Sequence, residues 1–268
     1  MHRRALLSAL LLGGCSTQPY GLGAVLRGQS LAESEPSFDV PYVPTPDAVV
    51  AAMLALGEVG AGRRTIDLGS GDGRLAIAAA MLGADATGVE LDGALVGRAR
   101  YRAAQTGVAE RVRFVQQDLF DTGLRGFDVV TLYLLPRINL QLRPRLLAEL
   151  APGARVVSHA FDMGDWTPDE HRLVEEKHVY LWIVPAVAGG SWRMTMADGS
   201  TRSLVIAQRY QKVSGTLDGV AIEGARLHGA ALDFTCADTR YRGIVGDAAI
   251  AADPAAADAV RGWTARRM

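Results

Sequence analysis

The stretch Thr65-Ile66-Asp67-Leu68-Gly69-Ser70-Gly71-Asp72-Gly73-Arg74 decides the fold of this 268-residue chain. An apolar run over 64–68 ends in three glycines at every second position, and an alanine-rich helical pattern over 75–82 follows at once. Glycine lets the backbone turn sharply and approach a ligand closely, because it carries no Cβ atom. A helix that begins near Gly73 offers unpaired N–H groups in its first turn. The stretch therefore predicts a strand, a tight turn and a helix, with a nucleotide-like ligand over the turn at the carboxyl edge of a parallel sheet.

Three acidic residues at the ends of successive apolar runs indicate which ligand this is. Asp67 ends the first run, Glu90 follows the run 84–89, and Asp118 follows the run 112–115. The glycine pattern differs from the Gly-x-Gly-x-x-Gly of dinucleotide sites, and an acid before it would repel a pyrophosphate but suit a cation. A carboxylate at the end of the second strand can hold ribose hydroxyls. Together they predict a cationic adenosine cofactor, S-adenosylmethionine.

Each cofactor-binding residue has a predicted partner on that molecule. Asp67 is assigned to the amino-acid end, Glu90 to the ribose hydroxyls and Asp118 to the adenine amino group, with Leu119 packing on the ring. The turn itself is formed by three residues, Gly69, Gly71 and Gly73.

The sequence resembles the class I S-adenosylmethionine-dependent methyltransferases. The resemblance is carried by the glycine motif, by Gly88-Val89-Glu90-Leu91-Asp92 and by Gln117-Asp118-Leu119-Phe120. Within that class it is similar to the small protein-lysine methyltransferases of mitochondria and their bacterial relatives, through Pro41-Tyr42-Val43-Pro44-Thr45-Pro46 and Arg98-Ala99-Arg100-Tyr101-Arg102. The resemblance covers about residues 38 to 185. It implies methyl transfer to a protein lysine, and a small-molecule acceptor stays open.

Alternating strand and helix patterns predict an α/β fold. Strands are predicted at 64–68, 84–90, 111–116, 127–134 and 154–161, and helices at 48–56, 73–82, 93–106 and 138–150. This alternation predicts a Rossmann-like, doubly wound, mostly parallel sheet in a domain over 38–188. Asp47 is the predicted N-cap of the first helix, and Thr167-Pro168-Asp169-Glu170 predicts the start of another, before a strand at 178–184.

The pattern changes after Gly189-Gly190. Helical periodicity disappears, and short alternating runs recur between turn signals such as Asp198-Gly199 and Asp218-Gly219. Such dipeptides between short apolar runs are typical of β-hairpins. A separate C-terminal domain over 189–268 is therefore predicted to be an antiparallel β meander, with a loop at the alanine-rich 251–259.

The N-terminus is typical of a bacterial lipoprotein signal. His2-Arg3-Arg4 precedes a short apolar run over 5–12, and Leu12-Gly13-Gly14-Cys15 fits a lipobox. Residues 1–15 are therefore predicted to be a signal segment, Cys15 a lipid-anchored residue on the periplasmic side of the membrane, and 16–37 a linker. If the segment is a chance apolar start, the protein is cytoplasmic, where S-adenosylmethionine is made. The alternative function is a non-enzymatic envelope lipoprotein that uses the fold for ligand binding.

Composition excludes other classes of protein. A net charge of −1 argues against a nucleic-acid partner bound through a basic field. The end of the fourth predicted strand, Leu132-Tyr133-Leu134-Leu135-Pro136, also departs from the Asn-Pro-Pro-Tyr type of nucleic-acid amino methylases. Two cysteines and five histidines without ligand-like spacing predict no metal.

The catalytic residues are unknown from sequence, because in-line methyl transfer needs orientation and desolvation more than a nucleophilic triad. Tyr133 is a candidate for contact with the acceptor, Thr45 is a second candidate, and His159 is a candidate base. Tyr42 and Asn139 are weaker candidates. Buried structural roles for the tyrosine and the histidine are at least as good an interpretation.

Overall fold

A computed structural model describes residues 42–268, which belong to one compact unit. Two sheets follow one another along the chain. The first has seven strands: β1 (Arg64–Leu68), β2 (Asp85–Glu90), β3 (Val112–Gln116), β4 (Val129–Leu132), β5 (Arg155–His159), β6 (Glu170–Val174) and β7 (Lys177–Ile183). Four α-helices accompany it: α1 (Asp47–Leu56), α2 (Arg74–Met81), α3 (Gly93–Gln105) and α4 (Pro136–Glu149).

The strand order of the first sheet is β3-β2-β1-β4-β5-β7-β6. Strands β1 to β5 pair in parallel, and β7 runs antiparallel to both of its neighbours. The order reverses direction between β1 and β4, and such a switch point is where open α/β sheets bind ligands beyond the carboxyl ends of their strands. The predicted Rossmann-like, doubly wound and mostly parallel sheet is confirmed.

Apolar side chains cover both faces of this sheet. One buried cluster joins α1, α2 and α3 to one face, and a second joins α4 and the loops after β3 and β5 to the other. The central strand β1 is buried from Thr65 to Leu68, which explains its continuous apolar run.

Two local predictions are wrong. Asp47 is the first residue of α1, and the N-cap position belongs to Pro46, which has no side chain that can cap. The Thr167-Pro168-Asp169-Glu170 signature starts no helix. Asp169 N–H instead donates to Leu181 O at 2.8 Å, and Glu170 begins β6, so pairing with β7 overrides the local helix signal.

The second sheet is antiparallel and contains nine strands: β8 (Gly190–Thr195), β9 (Thr201–Arg209), β10 (Lys212–Leu217), β11 (Val220–Ala221), β12 (Glu223–His228), β13 (Ala231–Cys236), β14 (Thr239–Val245), β15 (Ala249–Ala252) and β16 (Thr264–Arg267). Its order is β11-β10-β12-β13-β14-β15-β16-β8-β9, and β9 also pairs with β10 along its length. The predicted antiparallel meander is therefore confirmed and closes into a barrel. Strand β15 enters the segment predicted to be a loop, because residues 249–252 pair with β14 and β16.

Side chains fill the barrel. Strand β9 alternates, with Leu204 and Ile206 buried between exposed neighbours, as expected for a strand with one face in a core. Trp192, Phe234 and Trp263 are almost fully buried inside. The turn between β12 and β13 contacts the first sheet, since a Cβ atom at Gly229 would lie 3.8 Å from Ile183 Cγ2 of β7. The division into domains at residue 189 stays a prediction.

Candidate functional site

The glycine turn lies at the carboxyl end of β1, at the switch point. Gly69, Gly71 and Gly73 have φ angles of +77°, +53° and +80°, which side chains rarely adopt. Space is also restricted, since a Cβ atom at these positions would lie 2.8 Å from Leu134 Cδ2, 2.7 Å from Tyr42 Cε2 and 2.6 Å from Phe114 Cζ. The end of β4 and the segment before α1 thus pack directly on the turn.

Asp67 is buried beside this turn. It pairs in register with Thr131 of β4, whose Oγ1 donates to Asp67 Oδ1 at 2.7 Å. Burial raises the pKa of Asp67 to about 7, the hydrogen bond from Thr131 opposes the rise, and the charges of Glu90 and Asp72 add to it. The carboxyl group is therefore ready to ionise when a cation approaches it.

Glu90 at the end of β2 is held by backbone donors. Its Oε2 accepts from Gly71 N–H at 2.8 Å, and its Oε1 accepts from Leu91 N–H at 2.8 Å and Asp92 N–H at 3.0 Å. These bonds fix the carboxylate at the edge of the glycine turn, and each oxygen can accept further hydrogen bonds.

Asp118 follows β3 at the same edge of the sheet. It is exposed, and its Oδ1 accepts from Phe120 N–H at 2.8 Å, which caps the short 3₁₀ helix Leu119–Asp121. Leu119 is half-buried and packs on the second apolar cluster. The structure thus places the three predicted acids at the ends of three adjacent strands.

The segment before α1 is tied to the turn by an ion cluster. Asp72 pairs with Arg74 and Arg102, and Arg74 Nη1 donates to Thr45 O at 2.7 Å. Burial alone would raise the pKa of Asp72, but the hydrogen bonds and charges of the two arginines lower it below its usual value. This anchorage places residues 42–46 against the cofactor turn.

Tyr133, Thr45 and His159 meet at the ends of β4 and β5. The rings of Tyr133 and His159 lie 3.9 Å apart, and Thr45 Oγ1 lies 3.3 Å from His159 Nδ1. Phe161 stacks near Tyr133, with ring centroids 6.4 Å apart. Burial lowers the pKa of His159 to about 4, helped by the charge of Lys177, so the ring is neutral at pH 7.

Asn139 on α4 completes this acceptor-side cluster, which we define as Thr45, Tyr133, Asn139, His159 and Phe161. The Asn139 amide donates towards Ser158 Oγ, Phe161 O and Asp162 O, each at 3.3 Å. Within the described part of the chain, Asn139 Oδ1 and His159 Nε2 are buried without a hydrogen-bond partner. Buried polar atoms are normally paired, so each of these two atoms has unused hydrogen-bonding capacity.

Several contributors were missed from sequence. Thr131 and Phe161 gave no signal, because their roles depend on strand register and on a loop after β5. Asp72 and Arg74 were visible as an acid–base pair inside the glycine motif, but the motif was interpreted only as a turn.

Metal and membrane features were also predicted from sequence. Among residues 42–268, no cluster of three or more His, Cys, Asp or Glu side chains could hold a metal ion. None of the helices in this range has the length and apolar character to cross a bilayer. Cys15 lies outside the described residues, so its lipidation stays a prediction.

Comparison with known proteins decides the family. The model of the ANTKMT methyltransferase domain matches residues 67–170. A protein-lysine N-methyltransferase of Saccharolobus islandicus is 39% identical over 151 residues, which cover 54% of this chain and 94% of that protein. The chain belongs to the class I S-adenosylmethionine-dependent methyltransferases. This methyltransferase is an enzyme with S-adenosylmethionine as its cofactor, and the comparisons do not support the non-enzymatic alternative.

Two further relatives of this methyltransferase differ in what they act on. An adenine nucleotide translocase lysine N-methyltransferase of Mus musculus is 36% identical over 158 residues, 58% of this chain and 68% of its own length. A solved RNA methyltransferase from Salinibacter ruber, in complex with S-adenosyl-L-homocysteine, is 49% identical. The match covers 53% of this chain and 94% of that one, with a TM-score of 0.52.

The site of this methyltransferase fits the cofactor chemically. Three carboxylates at one sheet edge suit a cationic ligand, and the buried Asp67 carboxyl group is bonded by the neutral hydroxyl group of Thr131. A further polar atom in the turn, Ser70 Oγ, is buried without a partner among the described residues. The turn therefore has both the charge and the unused hydrogen-bonding capacity that an adenosine cation with a free amino-acid group requires.

Proposed function

We propose that the enzyme methylates the ε-amino group of a protein lysine. The observation that carries this proposal is His159 at the acceptor-side cluster: its buried Nε2 has no partner among the described residues, and its ring lies 3.9 Å from that of Tyr133, which stacks in turn near Phe161. An amine needs an acceptor atom to orient it, and aromatic walls suit the long alkyl stem of lysine. The relationship to named protein-lysine methyltransferases supports the same acceptor.

Cofactor binding in this proposal uses the sheet edge described above. Asp67 receives the cationic amino-acid end, Glu90 the ribose hydroxyls and Asp118 the adenine amino group, with Leu119 against the ring. Bound S-adenosylmethionine supplies an electrophilic methyl group whose C–S bond breaks as the new C–N bond forms.

The acceptor-side cluster prepares the amine. A lysine must lose a proton before it can attack, and a pocket lined by Tyr133 and Phe161 lowers the pKa of the amine by desolvation. When His159 Nδ1–H donates to Thr45 Oγ1, Nε2 keeps its lone pair and accepts a hydrogen bond from the neutral amine, which orients the nitrogen.

The test is transfer of tritium from methyl-labelled S-adenosylmethionine to a total cell extract. After acid hydrolysis, the label should migrate with methyl-lysines, and protease treatment of the extract should abolish it. His159→Gln should lower kcat about tenfold, because it removes the nitrogen that orients the amine through a hydrogen bond. The matched control is His228→Gln, because His228 is exposed on the barrel, and it should retain full activity.

RNA is a second candidate acceptor, favoured by the 49% identical RNA methyltransferase. The same labelled extract separates the two acceptors, since label on RNA resists protease and is lost on ribonuclease treatment. Label found only in the RNA fraction would reject the lysine proposal but would leave the proposed cofactor-binding residues unchallenged.

A further inference from the structure

The loop over 160–169 joins the acceptor-side cluster to the barrel. It starts directly after His159, and its first half carries Phe161 together with the carbonyl groups of Phe161 and Asp162 that accept from Asn139. Arg143 of α4 holds the middle of the loop, because its Nη1 donates to Met163 O at 2.6 Å. Its second half, from Asp165 onwards, faces the turn between β9 and β10.

The tip of the β9–β10 hairpin contacts that second half. Arg209 and Arg143 both form ion pairs with Asp165, one from the barrel and one from α4. Tyr210 OH donates to the same carboxylate at 3.1 Å, and the Tyr210 ring stacks on Trp166 with centroids 5.8 Å apart. The partly buried Tyr210 ring packs against the second apolar cluster of the first sheet.

Gln211 adds two bonds to the backbone and side chains of the loop. Trp166 Nε1–H donates to Gln211 Oε1 at 3.1 Å, and Gln211 Nε2 donates to Thr167 O at 2.6 Å. Trp166 is in turn fully buried and accepts at its carbonyl from Trp182 Nε1 at 2.7 Å. Side chains from one hairpin tip therefore fix three consecutive loop residues.

The conformation of Tyr210 shows how closely the turn is specified. Its φ angle is +55°, in the left-handed region that has a conformational cost for a residue with a Cβ atom. A glycine would fit this turn without that cost, so the contacts of the tyrosine side chain offset a local strain. Strain of this kind persists where the surrounding structure over-determines the position.

We propose that the β9–β10 hairpin is a positioning element that sets the acceptor wall, so that the C-terminal barrel governs how the acceptor binds. Arg209, Tyr210 and Gln211 act through the loop, and they touch neither the cofactor turn nor the reacting atoms. The inference rests on the proposed function for the location of the acceptor site. A loop held at both ends loses less conformational entropy when the acceptor binds, which lowers KM for the acceptor.

The experiment compares the full-length protein with Tyr210→Gly, which suits the positive φ angle and removes only the side-chain contacts. Asp238→Gly is the matched control, because Asp238 has a φ angle of +57° at the exposed tip of another barrel hairpin. Tyr210→Phe, which loses only the hydroxyl group, is the conservative variant. Three quantities are measured: hydrogen exchange over 160–169, affinity for S-adenosylmethionine, and total tritium transfer to macromolecules of a cell extract.

In Tyr210→Gly, we expect amide hydrogen exchange over 160–169 to accelerate at least tenfold. The KM for the macromolecular acceptor, measured as the extract concentration that gives half-maximal transfer, should rise at least fivefold. The affinity for S-adenosylmethionine should change less than twofold. Asp238→Gly should match the wild type, and Tyr210→Phe should fall between. Unchanged exchange in the loop would overturn the proposal, and so would faster exchange with an unchanged KM. Total tritium is counted whatever the acceptor, so the exchange and KM measurements test the role of the hairpin even if the acceptor is not a lysine. Failure to find methyl-lysine would therefore reject the proposed function alone.

Discussion

At the scale of single residues, the site combines two buried titratable groups with opposite pH behaviour. Asp67 has a pKa raised to about 7, mainly by burial, and His159 has a pKa lowered to about 4, also mainly by burial. Both groups are uncharged in the free enzyme near pH 6. Burial thus favours the neutral form of one group at the end of β1 and of another at the end of β5.

Asp67→Asn should reveal the cost of ionising this carboxyl group. Between about pH 4 and pH 7, the native state keeps a proton that the unfolded chain releases, so the free energy of unfolding falls as pH rises. The asparagine variant has no carboxyl group to ionise, so its free energy of unfolding lacks this dependence on pH. Its stability relative to the wild type should grow with pH by up to about 1.4 kcal/mol per unit in this window. Urea unfolding at pH 4.5, 5.5 and 7 would measure it, and a pH-independent difference would contradict it.

His159→Gln should show the reverse trend. Between about pH 6.5 and pH 4, the unfolded chain binds a proton that the buried imidazole refuses, so the wild type loses stability as pH falls. The glutamine variant should gain on the wild type as the solution becomes more acidic. The same urea series measures this, and a difference between the two proteins that does not change with pH would contradict it.

Glu90→Gln tests the proposed ribose contact. The amide removes one acceptor oxygen and the charge, and the loss of a charged hydrogen-bond partner typically costs about 1–3 kcal/mol. Calorimetric titration should therefore show the affinity for S-adenosylmethionine falling about 5- to 150-fold. Glu110→Gln, at an exposed position before β3, is the control. An affinity within twofold of the wild type would remove Glu90 from the site.

At the scale of elements, the glycine turn is specified twice, by its backbone and by its neighbours. Gly62, which precedes β1, serves as the comparison: its φ angle is +79°, and no atom would lie within 4 Å of a new Cβ. Gly62→Ala should therefore lower the free energy of unfolding by about 1–2 kcal/mol, through backbone strain alone. Gly73→Ala has a similar φ angle, but its Cβ would lie 2.6 Å from Phe114 Cζ and 2.8 Å from Ala99 Cβ. Overpacking adds about 1–3 kcal/mol. Equal losses in urea unfolding would show that the turn has room for a side chain.

The elements that sequence predicted well were those with a strong local cause. Strand β1 and the turn after it follow from an apolar run and three glycines, and the first five strands lie within a few residues of their predicted bounds. The failures depend on distant pairing. Thr167-Pro168 has the local chemistry of a helix start, yet β7 captures residues 170–174. The β12 strand was missed because Glu223 to His228 has little apolar alternation.

The candidate site divides in the same way. Motif position alone predicted that Asp67, Glu90 and Asp118 end adjacent strands, because parallel strands share one carboxyl edge. The meeting of Thr45 with His159 spans 114 residues and depends on the path of the segment before α1. No periodicity encodes such a contact. The role of the β9–β10 hairpin was equally invisible, since it depends on how two sheets pack.

At the scale of the whole molecule, the two sheets share contacts at two separate turns of the barrel. At the β9–β10 tip, Tyr210 packs against the second apolar cluster of the first sheet. In the β12–β13 turn, a Cβ atom at Gly229 would lie 3.0 Å from Cα of Gly153, which precedes β5. Residues 42–268 belong to one compact unit. We therefore expect one cooperative unfolding transition, although the change of sequence pattern at residue 189 predicts two domains.

Scanning calorimetry with and without S-adenosylmethionine tests this expectation. A ligand stabilises whatever unfolds together with its site. The whole transition should therefore move to higher temperature, including the barrel. Two transitions, of which only one moves, would restore the two-domain interpretation.

Closure of the barrel leaves the first sheet with the longer free strand edges in the described part of the chain, and this bears on colloidal behaviour. Edge strands are templates for self-association unless charges protect them. Strand β6 is such an edge, almost entirely exposed, and it carries Glu170 and Arg172 beside the apolar Leu173. Neutralising both charges would remove the electrostatic repulsion that keeps this edge from pairing with a strand of another molecule. We therefore expect the solubility of the protein at high concentration to depend on the two charges of this short strand.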